Sequence, residues 1–190
     1  MTPEPPNHLV LDACCVINLF ASRHLAEILA VLGRPVAVAA YVANEEALYI
    51  YGGPADNIRH TREEIELKPL IDANVLTVAS LAGEQEQETF VSLARVLDDG
   101  EAMTAALAIR RGWSIATDDG RATNYLTAHC PLVDILTTPA LLRQWVELAQ
   151  PSRQIIRDTL ESVRLRANYN VGPKHSLYAW WQSKWAREQS

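Results

Sequence analysis

Six carboxylates stand where a folded chain could use them for chemistry. Asp12 follows the apolar run His8-Leu9-Val10-Leu11, and Asp118 and Asp119 follow Ser114-Ile115-Ala116-Thr117. Glu45 and Glu46 come shortly after the apolar run at 36–39, and Glu101 opens an Ala-rich stretch. Ligands of open parallel sheets bind beyond the carboxyl ends of the strands, so acids at these positions are candidates for one shared edge. Converging carboxylates repel one another and raise their pKa values unless cations occupy the cluster. The fitting occupants are Mg²⁺ or Mn²⁺, hard ions that take oxygen ligands and keep several waters. Such ions activate water and stabilise an in-line displacement at phosphorus, so the chemistry to expect is phosphodiester hydrolysis.

Each acid also has a structural alternative. Asp12 can cap the helix that follows it. Asp98 and Glu101 have the spacing of a capping box. One of Asp118 and Asp119 can cap a helix from Arg121, and Glu45 and Glu46 can be solvated residues of a surface helix. Other chemistries have less support. A phosphatase of the haloacid-dehalogenase kind wants an acid two residues after Asp12, where Cys14 stands. There is no GxGxxG after a strand, no P-loop and no GxSxG. The five histidines are scattered without ligand spacing. The three cysteines, Cys14, Cys15 and Cys130, are odd in number and include no CxxC, which reads as buried filler rather than a disulfide or zinc framework.

The elements that must position these acids alternate between strand and helix, which predicts an α/β domain with a mostly parallel sheet. Strands are expected at 8–11, 36–39, 75–78, 113–117 and 132–135. Helices are expected over 16–32 in one or two pieces, 41–51, 84–97, 101–111 and 138–149, with a short one after Asp119 and a polar, amphipathic stretch at 58–71. Pro151 marks a boundary. Residues 1–150 form the main domain, and 151–190 form an extension with helices at 153–166 and 175–187.

In the order found here, four segments resemble the acidic motifs of PIN-domain nucleases. They are Val10-Leu11-Asp12-Ala13-Cys14-Cys15-Val16-Ile17-Asn18-Leu19, Val42-Ala43-Asn44-Glu45-Glu46, Asp99-Gly100-Glu101-Ala102-Met103-Thr104-Ala105-Ala106 and Ala116-Thr117-Asp118-Asp119. The likeness covers roughly residues 8–136. It implies a PIN-like three-layer α/β/α fold, a divalent-metal site and phosphodiester hydrolysis. Carried onto this chain, the site acids would be Asp12, Glu45, Glu101 and one of Asp118 or Asp119, with Glu46 as the alternative to Glu45. Asn18 would help orient the site. Many bacterial members are VapC-type toxins of VapBC toxin–antitoxin pairs that cut RNA, so the expected partners are an RNA substrate and a cognate antitoxin.

Composition sets the remaining bounds. The chain has 190 residues, 48% apolar, enough for one well-packed core. No apolar run reaches the roughly 18 residues of a membrane span, and the start of the chain lacks the basic and apolar regions of a signal peptide, so a cytoplasmic protein is expected. Net charge is −6, divided between −10 over residues 1–150 and +4 over 151–190. An acidic domain can still handle phosphates where metal ions invert the local field. Leu177, Trp181 and Trp185 form a helical stripe in the extension, with Tyr178 beside it. That stripe has to be buried against its own domain, a second copy in a homodimer or an antitoxin, unless its aromatics and arginines track RNA. The expectation as a whole is a Mg²⁺- or Mn²⁺-dependent ribonuclease of the toxin kind; a DNA-acting nuclease and a non-catalytic interaction domain are the rivals.

Overall fold

The structure, a computed structural model, describes residues 8–54 and 57–185. Its centre is a parallel sheet of β1 (Leu9–Leu11), β2 (Val36–Ala39), β5 (Thr77–Ala79), β6 (Ser114–Ala116) and β7 (Ile135–Leu136). Their order is β5-β2-β1-β6-β7. Leu9, Val10 and Leu11 pair with Val36, Ala37 and Val38 on one side and with Ser114, Ile115 and Ala116 on the other. These three strands are buried along their whole length, as expected of a parallel sheet covered by helices on both faces. That explains why they read as short continuous apolar runs rather than as alternating ones.

The order matters for function. From β1 the chain steps outward to β2 and β5, then returns to place β6 on the other side of β1. The direction of winding therefore reverses between β1 and β6. A crevice opens at such a switch point, outside the carboxyl ends of the two strands. The covering helices are α1 (Ala13–Ala21), α2 (Leu25–Val31), α3 (Lys68–Asp72), α4 (Gly83–Leu93), α5 (Asp99–Arg111), α6 (Gly120–His129) and α7 (Thr138–Ala149). No single described helix is long and apolar enough to cross a membrane. The apolar pair α1 and α2 is bent by 113° and contributes Val16, Leu19 and Ile28 to the core.

Several expected elements differ in extent, one of them in kind. The helical run expected at 16–32 starts earlier, at Ala13, and breaks between α1 and α2, where Arg23 takes a positive φ of 69°. The helix expected over 41–51 is not one. Residues Val42–Glu46 make one wide helical turn of the π type, and Tyr49–Tyr51 is a strand, β3. β3 pairs antiparallel with β4 (Arg62–Glu64), with Tyr49 opposite Glu64 and Tyr51 opposite Arg62. The expected amphipathic stretch at 58–71 thus becomes a 3₁₀ turn at Ile58–His60, β4 and α3. The aromatic and β-branched content of Tyr49-Ile50-Tyr51 outweighs the helical spacing around it. Gly53 lets the hairpin close: a Cβ there would lie 2.3 Å from the Asn57 carbonyl oxygen.

The extension folds back on this core. α8 (Arg153–Arg166) packs against α1, and α9 (Tyr178–Trp185) against α8. Ile156, Leu160, Val163, Val171 and Trp181 join the same apolar cluster as the strands. Of the expected stripe, Trp181 is fully buried and Leu177, Tyr178 and Trp185 are half-buried. The end of the helix expected to reach residue 187 lies outside the described residues.

Candidate active site at the sheet switch point

Asp12 is the first residue beyond β1, and its N–H donates to the Ala116 carbonyl of β6 at 2.9 Å. The backbone therefore pins this acid to the β1–β6 boundary. Its side chain is 4% exposed. Oδ1 accepts the Ala13 N–H at 2.8 Å, while Oδ2 accepts the Thr117 hydroxyl at 2.9 Å and the Cys14 thiol at 3.1 Å. Burial pushes the Asp12 carboxyl above the usual range, the three donors pull it back in part, and the charge of Asp98 adds to the rise. Asp12 is thus also the residue that starts α1, so the helix-cap alternative and the site position coincide.

Of the adjacent glutamates, Glu46 turns inward and Glu45 is exposed. The Glu46 carboxylate rests on the backbone of Gly100, where a Cβ would stand 1.9 Å from Oε2. The wide turn at Val42–Glu46, closed by the Ala47 N–H on the Val42 carbonyl at 2.9 Å, shifts the side-chain phase that an ordinary helix would give. π turns often mark functional sites. Burial, then the charges of Asp98 and Asp12, raise the Glu46 carboxyl, with the Gly100 N–H acting against them.

Glu101 lies in the first turn of α5 and is 8% exposed. The capping box anticipated as its alternative role is present: Asp98 Oδ1 accepts the Glu101 N–H at 2.9 Å, and Glu101 Oε2 accepts the Asp98 N–H at 3.3 Å. The same Oε2 accepts an Arg121 guanidinium N–H at 3.0 Å. Burial raises the Glu101 carboxyl, as do the charges of Asp98 and Asp119. Arg121 also lies 3.8 Å from Asp98, so one cation serves two acids.

The two aspartates after β6 have parted. Asp119 caps α6 by accepting the Ala122 N–H at 2.8 Å, and its own N–H donates to Thr117 Oγ1 at 3.1 Å. It is the one whose charge reaches Glu101. Asp118 is a fully engaged acceptor. Oδ1 takes the Thr138 N–H at 2.9 Å and the Tyr169 hydroxyl at 3.0 Å. Oδ2 takes Asn18 Nδ2–H at 2.9 Å, the Thr138 hydroxyl and the Cys15 thiol. Asn18, expected to help orient the site, meets this edge through Asp118. Burial and the Asp118 charge push the Tyr169 hydroxyl far above its usual range.

Among the described residues, one set of three ligand-type side chains has all its donor atoms within 4.8 Å of one another: Cys14, Cys15 and Asp118. Two sulfurs and one oxygen form a soft set, unsuited to Mg²⁺. Cys15 is fully buried, and burial holds its thiol protonated. The Asp118 oxygens are already filled. Asp12, Glu46, Glu101 and Asp119 stand farther apart, all oxygen donors around the switch point; burial and the charge of Asp98 raise the carboxyls of Asp12, Glu46 and Glu101, and Asp119 adds to the rise of Glu101. That donor set fits a hard divalent ion that keeps part of its water shell.

Sequence reasoning missed three contributors. Thr117 joins Asp12 to the Asp119 backbone, Arg121 neutralises Glu101 and Asp98, and Tyr169 reaches the edge from the extension. The threonine lies within the segment Ala116-Thr117-Asp118-Asp119 and was legible there; Tyr169 lies 51 residues from Asp118 and carried no local signal. No family model, no curated protein and no solved structure matches the chain.

Proposed function

We propose that this protein is a divalent-metal-dependent ribonuclease, with Asp12, Glu46 and Glu101 holding the ion and Asp119 beside them, and that it acts as the toxin of a toxin–antitoxin pair. The observation that carries the proposal is the gathering of these acids at the reversal of the sheet, with three carboxyls raised by burial and by neighbouring negative charge. A cation at that edge relieves the repulsion. The toxin role rests on the likeness of the four acidic segments to VapC-type proteins.

Bound there, Mg²⁺ or Mn²⁺ supplies Lewis-acid stabilisation of charge at a phosphodiester and makes water a better nucleophile near neutral pH. The chain's own residues prepare the edge. Thr117 holds Asp12 by donation and accepts the Asp119 N–H, so the two acids are set by one hydroxyl. Asn18, Thr138 and Tyr169 lock Asp118 and with it the turn between β6 and α6. Arg121 offsets the negative charge of Glu101 and Asp98.

The test is cleavage of a mixed single-stranded RNA pool in Mn²⁺, with single-stranded DNA of the same sequences alongside. Wild type is expected to cut RNA. Asp12→Asn and Glu101→Gln are expected to lose at least about 100-fold, because even outer partners of a metal ligand cost about 10–100-fold. Gln preserves the capping box, so Glu101→Gln should melt within a few degrees of wild type in EDTA. Cutting of DNA alone would move the activity to the rival nuclease class. Full activity in both folded variants would remove the site assignment.

A further inference from the structure

We propose that the outward face of the β3–β4 hairpin, carrying Tyr49, Tyr51, Arg59 and Arg62, is a docking strip for single-stranded RNA that leads to the acidic edge.

The strip follows from strand geometry. Side chains alternate along a strand, so Tyr49 and Tyr51 share one face and Ile50 takes the other. Ile50 is 1% exposed and Tyr49 is 37% exposed. On the outward face the Arg62 guanidinium lies over the Tyr49 ring at 4.0 Å and that of Arg59 over the Tyr51 ring at 5.4 Å. Two arginine-on-tyrosine stacks therefore stand side by side on a two-stranded ribbon. A stacked guanidinium is positioned by its ring while the N–H edges stay directed outward for phosphate or base edges. Arg59 spends one donor on Asn168 Oδ1 at 2.7 Å. Arg62 has no salt bridge among the described residues and is exposed, as is His60. Exposed rings next to cations are the elements with which proteins hold single strands.

Charge and position favour RNA over a protein partner. The chain carries −6 overall, so a polyanion approaching the acidic edge needs a cationic path. The hairpin supplies one through Arg59 and Arg62, and one of the two acids of β4 is turned away from it: Glu63, on the inward face with Ile50, is paired with Arg23 and stands 4.0 Å from Arg166. Continuity is set by the backbone. Tyr49 is three residues from Glu46, and an extended chain spans at most about 3.6 Å per residue, which keeps their Cα atoms within about 11 Å. Glu64 sits opposite Tyr49 on the outward face and is exposed; it works against the strip and supplies a test of opposite sign.

That the bound strand is the one cut rests on the ribonuclease reading; the binding itself does not. The experiment measures fluorescence anisotropy of a short labelled single-stranded RNA with the full chain in EDTA, over a range of salt, and cleavage separately in Mn²⁺. Tyr49→Ala is expected to weaken binding roughly ten-fold, the range of one lost base stack. Arg59→Gln with Arg62→Gln should weaken it and flatten the salt dependence by about 0.7 in the log–log slope for each lost phosphate contact. Glu64→Gln should tighten binding. Thermal melts confirm that each variant is folded, and the exposed Arg62 and Glu64 changes serve if Tyr49→Ala is not. Wild type that fails to bind RNA at low salt, or hairpin variants that bind as wild type, would overturn the strip and leave a protein as its partner. Wild type that binds through the strip yet cuts nothing in Mn²⁺ upholds the strip and removes the nuclease reading. Hairpin variants that bind RNA as wild type does and cut it with unchanged KM do the reverse.

Discussion

At the residue scale, the acids of the edge carry two duties at once. Asp12 starts α1 and faces the switch point; Glu101 closes a capping box and faces Arg121; Asp119 caps α6 and acts on Glu101. A cap needs an oxygen acceptor, whereas an ion needs the negative charge, so amide variants separate the duties. Arg121 is the informative neighbour. Its side chain is 60% exposed and its guanidinium lies 3.0 Å from Glu101 Oε2, so the pair is weakened by solvent and the guanidinium can be displaced. With Arg121 competing for the same oxygen, Arg121→Gln is expected to lower the Kd for Mn²⁺ several-fold by isothermal titration calorimetry. The same change should lower Tm in EDTA, because the acids then lose their resident cation. A Kd equal to that of wild type would show that the guanidinium and the ion do not share Glu101.

At the element scale, the wide turn after β2 decides which glutamate is used. An ordinary helix over 41–51 would leave Glu45 and Glu46 about 100° apart on a surface cylinder, and nothing local would choose between them. The turn ends at Ala47, the chain goes straight into β3, and Glu46 comes to rest on Gly100. Glycine is required there by close approach. Gly100→Ala is expected to push the Glu46 carboxylate aside, since the clashing atoms belong to the end of a flexible side chain. The first turn of α5 tolerates Ala well, so the Tm in EDTA should change little while the rise in Tm on adding Mn²⁺ shrinks. An unaltered Mn²⁺ response would exclude Glu46 from the ion's surroundings.

At the scale of the whole molecule, the extension is a structural partner of the site and not a detached arm. Trp181 is fully buried, and Tyr169 meets it edge to face with centroids 6.1 Å apart while donating to Asp118. Deleting one buried Trp costs on the order of 3–5 kcal/mol, against a total stability of about 5–15 kcal/mol for a domain. Truncation after Gln150 removes Ile156, Leu160, Val163, Val171 and Trp181 from the core together. The truncated protein is expected to aggregate or to lose a cooperative melt. A truncated chain that melts like the full one would show the packing of α8 and α9 to be dispensable. The milder Tyr169→Phe keeps the ring and removes only the hydroxyl on Asp118.

The short strand-like runs at 8–11, 36–39 and 113–117, alternating with helical stretches, made an α/β chain with a mostly parallel sheet legible, because strands covered on both faces need not alternate apolar with polar. Asp12, Asp118 and Asp119 were legible as strand-end acids for the same reason, and Asp98 with Glu101 as a capping box from spacing alone. The order of strands was not. It follows from which helices pack on which face, and it is this order that puts β6 beside β1 and makes their boundary the crevice. The division of labour between Asp118 and Asp119 came from partners distant in sequence: Thr138, Tyr169 and Asn18 draw one inward, while the first turn of α6 holds the other. The hairpin was hidden because Tyr49-Ile50-Tyr51 gains strand geometry only when Arg62-Glu63-Glu64 arrives to accept and donate its hydrogen bonds. Local spacing sets what a segment can become, and pairing across the chain decides which of those possibilities is taken.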